Sequence, residues 1–249
     1  MNKTTTIITR IIGLFFIVLI SYYLLFVQKT TSHKEIYSKP HNVLPGLNID
    51  EFKGFGIAQL RDFAYHEGTT TSEQYSFQAY SISDVQGATY HQSALKEGSP
   101  FAHGFITFDM GERFGFFQHI GLSVEARLEP DESYSPWKGL WGQYELYYLW
   151  ATERDLVSRR TNLYRSTVES HPLELSQEEL EILLESLVNA TILNEQEPLI
   201  YNSLVHNCIS VLRNAINDHY GSIIPWDRAL VFTNQSVRYL KDLGYITTE

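Results

Sequence analysis

Two short stretches restrict this chain more than any others. They are Phe101-Ala102-His103-Gly104-Phe105-Ile106-Thr107-Phe108-Asp109 and His119-Ile120-Gly121-Leu122-Ser123-Val124-Glu125-Ala126-Arg127. Both alternate with a period of two, the pattern of a strand whose faces differ. Gly111 and Gly115 lie between them, so the pair reads as an antiparallel hairpin with His103 at its start. Two registers fit. A tight turn around Gly111 sets His119 opposite His103, whereas a longer loop through Phe114 and Gly115 sets Glu125 there. The registers differ by an even step, so His119, Ser123 and Glu125 share the face of His103 in both. Either His119 or Glu125 could then orient the imidazole.

The rest of the chain supplies more sheet and a few helices. Gly56–His66 and Tyr75–Ile82 read as strands, and Gln143–Thr152 as a buried one. An aromatic content of 14% suits a β-rich or mixed domain better than a helical bundle. Glu153–Arg160 carries charges at helical spacing and reads as a solvated face. The clearest helix starts at Ser176, which forms a capping box with Glu179 and precedes the apolar stripe Leu180, Leu183, Leu184, Leu187 and Val188. A second helix runs from about Asn207 to Tyr220, with Gly221 as its stop, and Val237, Leu240 and Leu243 suggest a short last one. The expected fold is α+β: an antiparallel sheet with a cysteine-bearing helix packed against it.

In front of this domain, Ile11–Val27 is an apolar run without a charge, preceded by Lys3 and Arg10. It approaches the roughly 20 residues that cross a bilayer, and no small-residue cleavage site follows. Residues 1–28 are therefore expected to be a membrane-spanning signal anchor, 29–50 a linker and 51–249 the folded domain. Lys29, Lys34 and Lys39 follow the run, so charge alone scarcely decides its orientation. The formal net charge is −10; without Lys3 and Arg10, 17 Lys+Arg face 29 Asp+Glu, or −12. So acidic a domain excludes a nucleic-acid partner. A single cysteine excludes an intrachain disulfide, and with neither CxxC nor HExxH no metal or cofactor is expected.

That cysteine, Cys208, falls in the first helical turn if Asn207 is the N-cap. The positive end of the helix dipole there favours thiolate over thiol. The competing reading is an inert buried residue, because Leu204, Cys208, Val211, Leu212 and Ala215 share one helical face.

Several segments, in order, resemble the periplasmic domain of the bacterial lipoprotein N-acyltransferase Lnb and its relatives. They are Ala102–Phe108, Leu122–Glu129, Tyr134–Leu140, Gln143–Leu146, Glu153–Leu156, Tyr201–Leu204 with Asn207-Cys208, and Ile224–Asp227. The resemblance implies a permuted papain-like fold, with the histidine strand before the cysteine helix. It implies Cys208 as nucleophile, His103 as its base and Glu125 as the group orienting His103. It also implies a domain facing the periplasm from the inner membrane, acting through a Cys208 thioester on the acyl groups of a lipid or lipoprotein, with a membrane-protein partner conceivable. The acyltransferase carries further membrane spans after this domain, whereas here one apolar run stands in front, so donor and acceptor stay open. The same residues would also serve a cell-wall peptidase or amidase, and the fold could persist as a non-catalytic binding domain.

Overall fold

The computed structural model describes residues 3–23, 37–39, 41–96, 98–113, 116–221 and 223–247. Helix α1 (Lys3–Tyr22) is followed by strands β1 (Leu47–Ile49), β2 (Gly54–Arg61), β3 (Ala64–His66), β4 (Thr69–Ser72), β5 (Tyr75–Ser81), β6 (Gly87–Ala94), β7 (Ala102–Arg113) and β8 (Phe116–Arg127). After them come α2 (Pro136–Leu140), β9 (Tyr144–Thr152), α3 (Glu153–Ser158), a π-helical turn (Arg159–Leu163), β10 (Val168–Pro172), α4 (Gln177–Gln196), β11 (Ile200–Tyr201), α5 (Ser210–Tyr220) and α6 (Ser236–Asp242). One large sheet runs in the order β1-β2-β9-β8-β7-β6-β10, with β5 added on β2 and β11 on β9. Strand β9 is apolar at almost every position because it lies centrally and is buried on both faces.

The β7–β8 hairpin takes the longer-loop register: Ile106 pairs with Leu122 and Asp109 with His119. Carried back along the strands, that register sets Glu125 level with His103. A bulge between Asp109 and Glu112, where Gly111 takes φ 72°, shifts the pairing before the tip. Phe114 and Gly115 at that tip lie outside the described residues.

Helix α4 covers one face of the sheet. Ser176 Oγ accepts from the Glu179 N–H, and the Glu179 carboxylate accepts from the Ser176 N–H. Its five expected stripe residues are all buried in the largest apolar cluster.

Four expectations need correction. The membrane-spanning helix is the first: among the described residues no helix is long and apolar enough to cross a membrane. The first turns of α1 hold Lys3, Thr4, Thr5, Thr6, Thr9 and Arg10, so its unbroken apolar stretch is only Ile11–Ile20. At about 1.5 Å per residue that is roughly half of a 30 Å hydrocarbon layer. Leu24–Val27, the rest of the apolar run, lie outside the described residues. The mixed α+β architecture with a large sheet stands without the span. Second, the sheet is not wholly antiparallel, because Arg61 of β2 pairs with Ala151 of β9 in parallel.

Third, the chain joins the domain before residue 51. Residues 29–36 and Pro40 of the expected linker lie outside the described residues, but Tyr37 and His41 are buried and β1 extends the sheet. Arg127 anchors this segment: its Nε donates to the His41 carbonyl, its Nη1 to Glu145, and its guanidinium stacks 3.8 Å from the Tyr37 ring centre. Fourth, the charged run Glu153–Arg160 is no solvated face, since Asp155 and Arg159 are buried. Asp155 is fully enclosed, receives Arg61 through two bonds of 2.8 and 2.7 Å, and also accepts from the Phe63 N–H and the Tyr65 hydroxyl.

Removing one partner of such an enclosed pair leaves the other charge without compensation. Asp155→Ala is expected to lower stability by roughly 3–5 kcal/mol, read as a fall in the urea midpoint. An unchanged midpoint would show that the pair contributes nothing net.

Candidate active site

Asn207 builds the turn that carries the cysteine. Its Oδ1 accepts from the Ile209 and Ser210 N–H groups, both at 2.9 Å, and its carbonyl accepts from Val211. Ser210 Oγ returns a bond of 2.8 Å from the Asn207 N–H. These reciprocal bonds hold Cys208 in a turn just ahead of α5, which starts at Ser210 rather than at Asn207, so the cysteine precedes the first helical turn in which it was expected. Both amide hydrogens of Asn207 are also committed, to the carbonyls of Ser203 and Leu230.

The histidine strand approaches this turn closely. A Cβ on Gly104 would collide with the Ile209 side chain and the Tyr90 hydroxyl, so glycine is required for the approach. Thr233 pins the strand's start, accepting from the Ala102 N–H and donating to its carbonyl. Residues 230–233 thus brace the neighbours of both Cys208 and His103.

His103 Nε2 lies 2.7 Å from Ser123 Oγ, and Ser123 Oγ donates to Glu125 Oε1 at 2.9 Å. The direct His103–Glu125 separation is 3.9 Å, so the carboxylate acts through the serine. With its hydroxyl hydrogen given to Glu125, Ser123 accepts from His103 Nε2–H, which leaves Nδ1 as the basic nitrogen. His119 does not take part: it pairs with Asp109 further along the hairpin, half-exposed, 3.5 Å from Glu153.

Glu125 collects more than Ser123. Arg159 Nη1 reaches both carboxylate oxygens at 2.7 and 2.8 Å, Arg160 Nη2 reaches Oε1 at 2.9 Å, and His41 Nε2 lies 3.2 Å from Oε2. Because His41 Nδ1 accepts from the Leu128 N–H, its Nε2 carries the hydrogen. The π-helical turn presents Arg159 and Arg160, adjacent in sequence, to one carboxylate.

Burial alone would raise the Glu125 pKa, but Arg159, the His41 bond, Arg160 and His103 together hold it well below the usual carboxylate range. Burial, then Arg160, push His103 well below the ordinary imidazole value, against Glu125. Burial also lowers His41. Cys208 is pushed up by burial, against the Gly104 N–H and Arg160. Thiol and imidazole, which line the same cavity, are therefore both neutral at rest, and the thiolate expected from the helix dipole is outweighed by desolvation.

Cys208, His103, Glu125, Arg159 and Arg160 line one cavity of about 460 Å³, whose remaining wall includes Leu95, Phe101, Val124 and Tyr134. All three residues expected from the sequence thus meet there. Sequence reasoning missed His41, hidden in an apparent linker, and treated Arg159 and Arg160 as surface. The doublet Arg159-Arg160, the only Arg-Arg pair in the chain, was the available signal. Among the described residues, no group of three or more His, Cys, Asp or Glu side chains is placed to hold a metal ion.

Fold and site together define a class: an α+β domain in which a cysteine at the head of a helix shares a cavity with an imidazole backed by a carboxylate. Within it, the chain belongs to the Lnb N-terminal periplasmic domain family, whose model matches residues 71–241, more than half of the sequence. It is thus a periplasmic protein of the Lnb family. His103, Glu125, Arg159, Arg160 and Cys208 fall inside the matched region, and His41 outside it. No curated protein and no solved structure matches the chain.

The carboxylate and thiol give opposite pH signatures. Glu125 titrates lower folded than unfolded, so its stabilisation is present above the unfolded carboxyl value and is lost as pH falls towards the folded one. Glu125→Gln is expected to unfold at lower urea than wild type at pH 7, the gap narrowing by about pH 3.5. Equal gaps at both pH values would contradict this. Alkylation of native Cys208 is expected to accelerate only above the ordinary thiol range; a midpoint below it would overturn the neutral resting pair.

Proposed function

We propose that this domain is a thiol acyltransferase or hydrolase that acts on the acyl groups of a lipid or lipoprotein through a thioester on Cys208. The observation that carries this reading is the chain of hydrogen bonds from His103 through Ser123 to Glu125, ending on the cavity that Cys208 also lines. Leu95, Phe101, Val124, Leu128 and Val231 line part of the cavity and offer an acyl chain apolar surface.

In the first step the Cys208 sulfur attacks the acyl carbonyl carbon as the thiol proton passes to His103 Nδ1. The imidazolium so formed is supported by Ser123 and the ionised Glu125. The Cys208 main-chain N–H, in the turn just ahead of α5, receives the developing oxyanion. Asn207 is not available for that task, because its amide hydrogens hold Ser203 and Leu230. Collapse breaks the acyl C–O bond, His103 protonates the departing alkoxide, and a thioester remains. An amine then takes the acyl group to give an amide, or water takes it to give the acid, with His103 accepting the proton of the attacking group.

The neutral resting pair fits this order. Proton transfer accompanies attack, so the enzyme holds little free thiolate while idle.

The test is acyl trapping. Wild-type protein exposed to a short p-nitrophenyl ester is expected to gain one acyl mass on Cys208, removable by neutral hydroxylamine, and Cys208→Ala to gain none. His103→Ala should acylate about 10²- to 10⁴-fold more slowly, and Ser123→Ala about tenfold or more, mainly in kcat. Equal acylation of Cys208 in His103→Ala would remove the base from the mechanism. Absence of any Cys208 adduct would leave the non-catalytic binding domain as the better reading.

A further inference from the structure

The cavity wall carries an imbalance of charge. Its lining includes one carboxylate, Glu125, and two guanidiniums, Arg159 and Arg160. Both lining imidazoles, His41 and His103, are neutral at physiological pH because burial lowers them. The neighbouring buried charges cancel in pairs, Arg61 with Asp155 and Arg127 with Glu145, and supply no spare anion.

Glu125 is already saturated. Its two oxygens accept from Ser123, from Arg159 twice, from Arg160 and from His41, against about four lone-pair positions on a carboxylate. Arg160 meets it through Nη2 alone, as the third donor on Oε1. The head of α5 adds partial positive charge beside Cys208. All of this sits inside a domain that is strongly acidic elsewhere. A nearly enclosed surplus cation is costly unless an anion comes to it.

We propose that the substrate which acylates Cys208 also carries an oxyanion, a phosphate ester or a carboxylate, and that Arg160 seats this group inside the same cavity. The inference rests on reading the cavity as the acyl-transfer site and adds to it a class of substrate: an anionic acyl compound rather than a neutral one. A fork of N–H donors suits either oxyanion. Arg159, bound to both oxygens of Glu125, is held in place and serves the carboxylate.

Two measurements on the full chain test this, one independent of thiol chemistry. With Cys208→Ser, thermal unfolding is followed in hexyl phosphate, hexanoate and hexanol. Stabilisation by an oxyanion but not by hexanol, lost in the additional variant Arg160→Gln and partly kept in Arg160→Lys, supports the proposal. A larger shift with hexyl phosphate assigns the group to a phosphate ester, and a larger shift with hexanoate to a carboxylate. Equal stabilisation by hexanol, no shift with either oxyanion, or a shift undiminished in Arg160→Gln overturns it. With the thiol intact, Cys208 is alkylated by anionic iodoacetate and neutral iodoacetamide. The ratio of the two rates is expected to fall about tenfold in Arg160→Gln, as one nearby charge in a partly enclosed site would give, and an unchanged ratio counts against Arg160. If iodoacetamide reaches Cys208 but the ratio does not move, the anion site fails while the nucleophile stands. If neither reagent reaches Cys208 in the folded protein, the catalytic reading fails, and the hexyl phosphate shift alone decides whether the anion site exists.

Discussion

The carboxylate of Glu125 is the point on which the site depends. A buried carboxylate is tolerated only when its charge is met by close partners, and here the partners come from separate parts of the chain. Meeting that demand draws in the segment before the sheet through His41 and the π-helical turn through Arg159 and Arg160. The same demand aims the Ser123 hydroxyl at Glu125, which decides how His103 must face. Charge burial thus sets the position and tautomer of an imidazole that the carboxylate does not touch directly.

The electrostatics that secure Glu125 also set the chemistry of the pair above it. Two guanidiniums near His103 disfavour a second positive charge, while burial disfavours a negative one on the sulfur. Neither group is charged at rest. This differs from a preformed thiolate–imidazolium pair, whose sulfur would stand reactive towards any electrophile or oxidant. The C-terminal brace adds rigidity where it counts, because Thr233 holds the residue before His103 and Leu230 holds the residue before Cys208.

Much of this was legible in the sequence. Strand parity put Ser123 and Glu125 on the face of His103 before any register was known, and the capping box at Ser176 read correctly, whereas α5 starts at Ser210, later than the start at Asn207 that its side chain suggested. Local patterns carry such features because their cause is local. What could not be read depends on distant partners. His41 lies in a stretch of Pro and Asn that looks like a linker, and only its partners across the fold, Glu125, Arg127 and Leu128, give it a reason to be buried. Asp155, Arg159 and Arg160 stand at spacings typical of a solvated helix, and their burial is decided by Arg61 and Glu125. The strands Gly87–Ala94 and Val168–Pro172 escaped because edge and near-edge strands with few apolar residues give a weak alternation. Of the apolar run near the start, Leu24–Val27 lie outside the described residues, and α1 carries only Ile11–Ile20 of it without a polar break.

The brace formed by residues 230–233 has a consequence for how the protein is made. His41 and Thr233 stand near opposite ends of the chain, yet both are required around one cavity, so the site is a high-contact-order object that closes late in folding. A chain delivered from its N-terminus would assemble the sheet while the Cys208 turn still lacked the carbonyl of Leu230. The Cys208 turn is therefore the last part to be completed, and a truncated chain that has lost its final twenty residues would keep its strands without a finished site.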